Sequence, residues 1–246
     1  MEASLEYWEN AIPWAFKGET TTYESKRGKR YELQDYMAHD IGFESYRGRK
    51  VLEVGSGGGI DSAEFARNGA EVISLDFTHL GASTTRDLLR EAGFVPNPVR
   101  SDASSLPFRD AEFDCLYSFG VLHHIPDVVP VVQEIARVLK PGGELTCMLY
   151  NKASLLYCYS ILFVHRNEGL TEEQLVSRYS ERILNCPYTR AYTKGEVHGL
   201  LSPYFEPINT SVRYNVIDLP DNRKFKLDIP DRYELGWHLI VKAKRR

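Results

Sequence analysis

The sequence predicts an α/β fold in which helices cover both faces of a parallel sheet. Between residues 50 and 150, short apolar runs alternate with runs of helical spacing, a pattern typical of right-handed βαβ units. The strand-like runs are apolar almost throughout, as expected of strands that are buried on both faces. A glycine-rich stretch, GSGGG at residues 55–59, separates the first strand from the first helix. In such folds this turn is where nucleotides bind.

The predicted elements follow one another in a regular order. Five strands are predicted at KVLEV, EVISLD, NPVRSD, FDCLYSFG and GELTCMLY. Helices are predicted at DSAEFARNG, ending at Gly69, and through TTRDLLREAG, ending at Gly93. A third helix, DVVPVVQEIARVLK, is stopped by the Pro-Gly-Gly at 141–143. A later helix-like run, TKGEVHGLL, precedes a closing strand pair predicted at FEPINTSVRY and GWHLIVKAK.

Two stretches lie outside this alternation and divide the chain into four expected regions. Residues 1–49 form an aromatic-rich lead-in, and residues 50–150 form the core. Residues 151–192 are an insertion, and residues 193–246 complete the sheet. Neither stretch reads as a linker, because both contain many aromatic and aliphatic residues.

Composition and charge narrow the function classes. The 246-residue chain has a net charge of −4, a pI of about 6.0 and no basic block except the terminal KAKRR. This argues against a protein built mainly to hold nucleic acid. KAKRR is interpreted as a solvated chain end that protects an edge strand.

The cysteines and the apolar windows suggest where the protein works. The four cysteines have no CxxC or zinc spacing, so we expect buried free thiols in a reducing compartment and no metal site. The opening MEASLEYWEN does not read as a signal peptide. The most apolar later window, SLLYCYSILFV, is shorter than the roughly 20 residues a bilayer span needs. We therefore expect a cytoplasmic protein with no membrane span.

The glycine loop fits neither of two phosphate-binding patterns. The dinucleotide pattern G-x-G-x-x-G would need Gly or Ala at Ile60 or at Ser62. A P-loop would need a lysine, and the loop has none. What remains is E-x-G-x-G-x-G, which runs from Glu53 to Gly59.

Two acidic residues follow the next strands along the predicted sheet. Asp76 ends the second strand, 21 positions beyond Gly55, where a carboxylate can accept hydrogen bonds from both ribose hydroxyls. A simple cap of the strand end is the alternative. Asp102 ends the third strand and could accept the amino group of an adenine.

Three motifs in register carry a family resemblance: VLEVGSGGGIDSAEFARNGAEVISLD, SDASSLPFRDAEFDCLYSFGVLHHIPD and EIARVLKPGGEL. Together they resemble class I S-adenosylmethionine-dependent methyltransferases, and within them the small-molecule and quinone-type (methyltransferase type 11-like) branch. The resemblance implies a Rossmann-like, mostly parallel sheet of seven strands with the last antiparallel. It also implies S-adenosylmethionine as cofactor, S-adenosylhomocysteine as product, and methyl transfer to oxygen, nitrogen or carbon of a small molecule.

The resemblance also implies roles for individual positions. Asp76 would bind the ribose, Phe77 would flank the adenine, and Asp102 with Ala103 would meet the adenine edge. Ser118 would lie beside the methionine portion. The loop would place bare backbone against the cofactor through Glu53, Gly55, Ser56 and Gly57. Ser56 departs from the cysteine frequent in the family, but a small residue suffices there.

Catalytic candidates lie at the predicted rim of the sheet. A methyl on a sulfonium is already activated, so a base is needed only for a protonated acceptor. His123, in GVLHHIPD, is the candidate base, and Tyr150 is a second rim candidate. The alternatives are a histidine pair that shapes the loop and a tyrosine of the core or pocket wall.

The lead-in and the insertion are both predicted to close over the site. In the lead-in, Tyr23, Arg30 and Tyr31 are candidates for binding the cofactor's methionine carboxylate, and a solvated Arg30 is the alternative.

In the insertion, ASLLYCYSILFV is apolar on every face, and Thr171 caps a helix predicted at TEEQLVSRYSERI. We predict a helical cap that roofs the acceptor pocket and favours an apolar or aromatic acceptor. A dimer interface or plain core is the alternative.

Other functions stay open at this point. An RNA or protein methyltransferase is disfavoured by the lack of a basic face, and an NAD-dependent oxidoreductase by Ile60. A non-catalytic S-adenosylmethionine-binding sensor or assembly protein of the same fold is the alternative from a different class. A homodimer is compatible with the sequence.

Overall fold

A computed structural model of the protein describes residues 2–11, 22–181, 185–218 and 224–246. Residues 12–21 of the predicted lead-in and residues 182–184 of the predicted insertion lie outside this description. The described strands are β1 (Lys50–Val54), β2 (Glu71–Asp76), β3 (Pro98–Arg100), β4 (Phe113–Phe119), β5 (Leu139–Asn151), β6 (Ala191–Tyr192), β7 (Phe205–Arg213), β8 (Val216–Asp218), β9 (Lys224–Lys226) and β10 (His238–Arg245).

The described α-helices are α1 (Glu2–Ala11), α2 (Tyr23–Leu33), α3 (Met37–Ile41), α4 (Ile60–Arg67), α5 (His79–Glu91), α6 (Val128–Val138), α7 (Glu172–Tyr179) and α8 (Lys194–Leu201). A π-helix covers Leu156–Phe163, and short 3₁₀ turns cover Phe43–Tyr46, Leu122–His124 and Asp231–Tyr233. The described part of the N-terminal region is therefore mainly helical.

The main sheet has the order β3-β2-β1-β4-β5-β10-β7. β1 to β5 pair in parallel, and β10 runs antiparallel to both β5 and β7. This confirms the mostly parallel sheet of seven strands. The two-residue β6 adds a parallel pairing to the end of β5, with Tyr150 opposite Ala191. β8 and β9 form a separate antiparallel pair.

Helices cover both faces of this sheet, as the apolar strands predict. Along β1, Leu52 faces a cluster with Val131 and Ile135 of α6, and the preceding Val51 faces a cluster with Met37 and Phe65. All six side chains are fully buried. Successive residues of a strand point to opposite faces, so a strand covered on both sides needs an unbroken apolar run.

The third predicted helix ends earlier than the sequence suggests. α6 stops at Val138, and Leu139 already pairs with Phe113 of β4. The Pro-Gly-Gly at 141–143 therefore lies within the long strand β5 instead of between helix and strand. Sheet pairing determines this boundary, whereas local propensity alone predicts the helix to continue to Lys140.

The insertion packs against the end of the sheet. Leu156, Tyr157 and Ile161 of the π-helix belong to a buried cluster that also contains Tyr150 and Trp237. Thr171 caps α7 as predicted, in a reciprocal capping box with Gln174. The outer side of the insertion exposes three large apolar side chains, those of Tyr159, Phe163 and Val164.

The cysteines are free, as predicted, and three are buried: Cys115, Cys147 and Cys186. Cys158, on the π-helix, is exposed, which differs from the expectation of buried thiols. Within the described ranges, no helix is both long enough and apolar enough to cross a bilayer.

Candidate functional site

The glycine loop is closely packed at Gly55 and open at Gly57. The amides of Gly55 and Ser56 donate to the Leu75 carbonyl, at 2.7 and 3.0 Å, which ties the end of β1 to β2. Gly55 has φ +80°, and a Cβ there would lie 2.2 Å from Cγ2 of Val121. Gly57 has φ +51° with nothing within 4 Å of its Cβ position. The backbone at Gly57 is therefore free to meet a ligand closely.

Asp76 is held at the end of β2 by the same loop. Its carboxylate accepts hydrogen bonds from the amide of Gly57 at 2.8 Å and from the amide and hydroxyl of Thr78 at 2.9 and 2.6 Å. Gly81 of α5 makes room for it, since a Cβ there would lie 2.3 Å from the carboxyl carbon. Asp76 is buried and forms part of the wall of a cavity.

The larger of two cavities, about 650 Å³, brings together most of the residues predicted to hold a nucleoside. Its walls include Gly55, Gly57, Asp76, Phe77, Asp102 and Ala103. Asp102 accepts hydrogen bonds from the amide and hydroxyl of Ser104, both at 2.8 Å. The cavity therefore has carboxylates on two successive strand ends beside an aromatic side chain.

The smaller cavity, about 360 Å³, adjoins the first along shared walls. The residues common to both are Trp8, Gly55, Gly57, Phe119 and Gly120. It contains the predicted site residues Arg30, Glu53, Ser56 and Tyr150, and the further ring-bearing residues Tyr214, Trp237 and His238. A ligand with a nucleoside in the larger cavity can thus extend into a space with aromatic walls.

Arg30 is the lead-in candidate that reaches a cavity. Its guanidinium pairs with Asp61 at 2.7 Å and lies over the ring of Phe119, 5.0 Å from the centroid. Tyr31 donates to the same Asp61 at 3.0 Å and packs beside Phe43. Tyr23 is buried among Ile60, Ala63, Leu88 and Leu89. Neither tyrosine is part of the cavity walls.

Ser118 also lies away from both cavities. Its hydroxyl donates to the Val54 carbonyl at 3.0 Å, and the side chain is fully buried between β4 and β1. The next residue, Phe119, faces the cavities instead. Alternation along β4 explains the difference, because neighbouring side chains of a strand point to opposite faces.

Glu53 is a buried acid at the wall of the smaller cavity. Burial raises the pKa of Glu53 well above its ordinary range, and the nearby Asp61 carboxylate raises it further. A short hydrogen bond from the Ser62 hydroxyl opposes that shift. A cationic group bound beside Glu53 would favour its ionised form.

Of the two adjacent histidines, His123 lies in the core and His124 lies at a cavity wall. His123 is fully buried, lies tilted against the ring of Tyr150 with 3.7 Å between ring centroids, and is not part of either cavity wall. Burial lowers the pKa of His123 well below its ordinary value, so the ring is neutral. His124 forms part of the larger cavity's wall, against Trp8. The structure thus brings His124, rather than the predicted His123, to the cavity.

Tyr150 and Glu181 form a polar corner of the smaller cavity. The Tyr150 hydroxyl donates to Glu181 Oε1 at 2.5 Å, and its ring stacks on Trp237 at 4.0 Å between centroids. Burial raises the pKa of Tyr150 well above its usual value, and Glu181 adds to this. Tyr150 is therefore a neutral hydrogen-bond donor on the cavity wall.

Sequence reasoning missed several wall residues: Trp8, Glu181, Tyr214, Trp237 and His238. A signal for the last two was present. His238 opens β10, which pairs antiparallel with β5 so that His238 lies opposite Tyr150. An antiparallel strand that begins where a parallel strand ends places its first residues at the same rim. Trp8 and Glu181 depend on tertiary contacts that no local pattern reveals.

Comparison with known proteins agrees with this geometry. Residues 52–147 match the family described as "Methyltransferase domain". A ubiquinone biosynthesis O-methyltransferase of Hahella chejuensis is 34% identical over 116 residues, which are 47% of this chain and 49% of that protein. A ubiquinone/menaquinone biosynthesis C-methyltransferase of Vibrio cholerae is 35% identical over 113 residues, 44% of each chain. Over residues 52–147 the chain is therefore similar to methyltransferase domains.

The matched region covers the glycine loop and both acidic strand ends. The chain spans about half the length of these two curated relatives. In fold, it is similar to a crystal structure of an S-adenosylmethionine-dependent methyltransferase from Mesorhizobium loti, with a TM-score of 0.59 and 16% identity, covering 86% of this chain and 99% of that one.

The residues present in the matched region fit S-adenosylmethionine. S-adenosylmethionine carries no phosphate, and the loop contains no lysine. Asp76 suits ribose hydroxyls, and the open backbone at Gly57 suits close approach of the ligand.

Proposed function

We propose that the protein transfers the methyl group of S-adenosylmethionine to a small aromatic acceptor. The observation that carries this proposal is the meeting of two unlike cavities at Gly55, Gly57, Phe119 and Gly120. One has the carboxylates and the ring expected around an adenosine, and the other has aromatic walls. A methyl donor and its acceptor would meet at that junction.

The cofactor supplies a methyl group already activated by its sulfonium, so the protein's own task is geometric. Asp76 and Asp102 would hold the ribose and the adenine, with Phe77 against the ring. Glu53 and Arg30 would face the ammonium and the carboxylate of the methionine portion. Alignment of reacting groups and exclusion of water can contribute roughly 7–11 kcal/mol to such a transfer.

The acceptor would lie in the smaller cavity. The stacked rings of Tyr150 and Trp237 provide a flat wall, and Trp8 of α1 is part of the walls of both cavities. Flat aromatic walls favour a planar ring. The names of the two curated relatives, which act in quinone biosynthesis on oxygen and on carbon, support an aromatic acceptor and leave the acceptor atom open.

The insertion would contribute to acceptor choice through its polar end. Its apolar residues Leu156, Tyr157 and Ile161 pack in the core cluster, whereas Ser180 and Glu181 reach the smaller cavity. We therefore assign specificity to the segment around Glu181. The same proposal places the reaction in the cytoplasm, with a small molecule as the partner and no nucleic acid.

A transfer assay tests this function. The full chain is incubated with methyl-labelled S-adenosylmethionine and a panel of phenols, hydroquinones and aromatic amines, and both labelled product and S-adenosylhomocysteine are measured. We expect label in at least one aromatic acceptor, with stoichiometric S-adenosylhomocysteine. Cofactor binding without transfer to any aromatic compound would favour the non-catalytic sensor instead.

A further inference from the structure

Three side chains of types that can bind a metal converge beside the two cavities. The donor atoms of His123, His124 and Glu181 all lie within 4.8 Å of one another. Nε2 of His124 is 3.6 Å from Oε1 of Glu181. The two histidines come from the 3₁₀ turn after β4, and the carboxylate comes from the insertion. The cluster therefore joins two segments that are far apart in sequence.

The hydrogen bonds of His124 fix which nitrogen faces the cluster. Its Nδ1 lies 3.1 Å from the carbonyl oxygen of Tyr188. The Thr189 hydroxyl lies at the same distance from Nδ1. When Nδ1 donates to the carbonyl, which can only accept, Nε2 presents a lone pair towards Glu181. Histidines that bind metals usually donate their second nitrogen in this way, and their carboxylate partners are also hydrogen-bonded. The Tyr150 hydroxyl supplies that bond to Glu181.

The ring nitrogens of His123 give further support for a bound cation. The side chain is fully buried, and neither ring nitrogen has a hydrogen-bond partner among the described residues. The Met148 backbone lies nearby, without hydrogen-bond geometry. Buried polar groups in folded proteins nearly always have a partner. A cation within the cluster would supply one to His123 and would also separate the facing lone pairs of His124 and Glu181.

We propose that His123, His124 and Glu181 bind a divalent transition-metal ion of the zinc class. Two imidazoles and one carboxylate suit Zn²⁺, whereas Mg²⁺ prefers oxygen donors alone. Tetrahedral bonds of about 2.0–2.2 Å place donor atoms about 3.3–3.5 Å apart, close to the separation of His124 and Glu181.

Three protein ligands leave one position of a tetrahedral ion open. His124 belongs to the wall of the larger cavity and Glu181 to that of the smaller, so a ligand in either cavity would lie beside the ion. That an oxygen of the acceptor fills it rests on the proposed function. The binding of the ion does not.

The test measures metal binding directly, without an acceptor. The full chain is stripped with EDTA, dialysed and titrated calorimetrically with Zn²⁺, with Mg²⁺ in a parallel titration. Co²⁺ is then added as a spectroscopic probe of tetrahedral coordination. We expect one tight Zn²⁺ site per chain, visible Co²⁺ absorption bands displaced by Zn²⁺, and no site for Mg²⁺ of comparable affinity.

Variants locate the site. Glu181→Gln keeps the size of the side chain, and His124→Gln removes one imidazole; each should weaken Zn²⁺ binding at least 30-fold. The matched control is His165→Gln, which removes a histidine paired with Glu168 at 2.7 Å outside the cluster and should change nothing. Circular dichroism confirms that each variant is folded. Absence of a tight Zn²⁺ site, or equal affinity in wild type and Glu181→Gln, would overturn the proposal.

Discussion

Gly55→Ala adds one methyl group at the most crowded point of the cofactor loop. Its Cβ would lie 2.2 Å from Cγ2 and 3.1 Å from Cβ of Val121, so rotation of the valine alone cannot relieve the contact. The left-handed backbone at φ +80° adds about 1–2 kcal/mol for a non-glycine residue. Overpacking adds about 1–3 kcal/mol. We expect a total loss of about 2–5 kcal/mol in the free energy of unfolding.

Two further variants separate the cost of the left-handed backbone from the cost of the contact with Val121. Gly57→Ala has the same backbone penalty but open space around its Cβ, so its loss should stay at about 1–2 kcal/mol. The double variant Gly55→Ala with Val121→Ala removes the clash and should recover part of the stability lost by Gly55→Ala. Urea unfolding gives all three values. Equal losses for Gly55→Ala and Gly57→Ala would refute the packing of the loop against Val121.

Three other predictions follow from burial and charge. Because the raised pKa of Glu53 means that the folded state holds its proton to higher pH than the unfolded chain, this group lowers stability as pH rises above about 4.5. Glu53→Gln should therefore gain in urea stability relative to wild type between pH 5.5 and pH 8, and a constant difference would contradict this. With a thiol reagent at pH 8, one cysteine of the native protein should react rapidly, and Cys158→Ser should abolish that phase. S-adenosylhomocysteine should protect the first 40 residues from limited proteolysis, since Trp8 forms part of both cavity walls; unchanged cleavage would count against α1 as a cover.

Local sequence pattern was sufficient to predict the elements around the larger cavity. The apolar runs predicted β1, β2 and β4, and the glycines and acids at strand ends predicted Asp76 and Asp102 at one cavity. These features depend on residues close in sequence, where strand ends and turns are encoded.

The surroundings of the histidine pair and of the smaller cavity were predicted less well, because their geometry depends on tertiary contacts. A one-residue difference in the 3₁₀ turn buries His123 and exposes His124 to the cavity, and no periodicity in HHIPD distinguishes them. Glu181 reaches the site through the path of the insertion after α7. Tyr23 was expected at the cofactor, yet it fills a gap between α4 and α5.

Calorimetric titration with S-adenosylmethionine measures directly whether the protein binds the cofactor. We expect one site per chain in wild type. We expect at least tenfold weaker binding in Asp76→Ala, which loses two charge-assisted hydrogen bonds worth roughly 1.5–3 kcal/mol each. Asp87→Ala, which removes an exposed carboxylate of α5, should bind as wild type does. Unchanged affinity in Asp76→Ala, or tight binding of NAD in place of S-adenosylmethionine, would contradict the assignment.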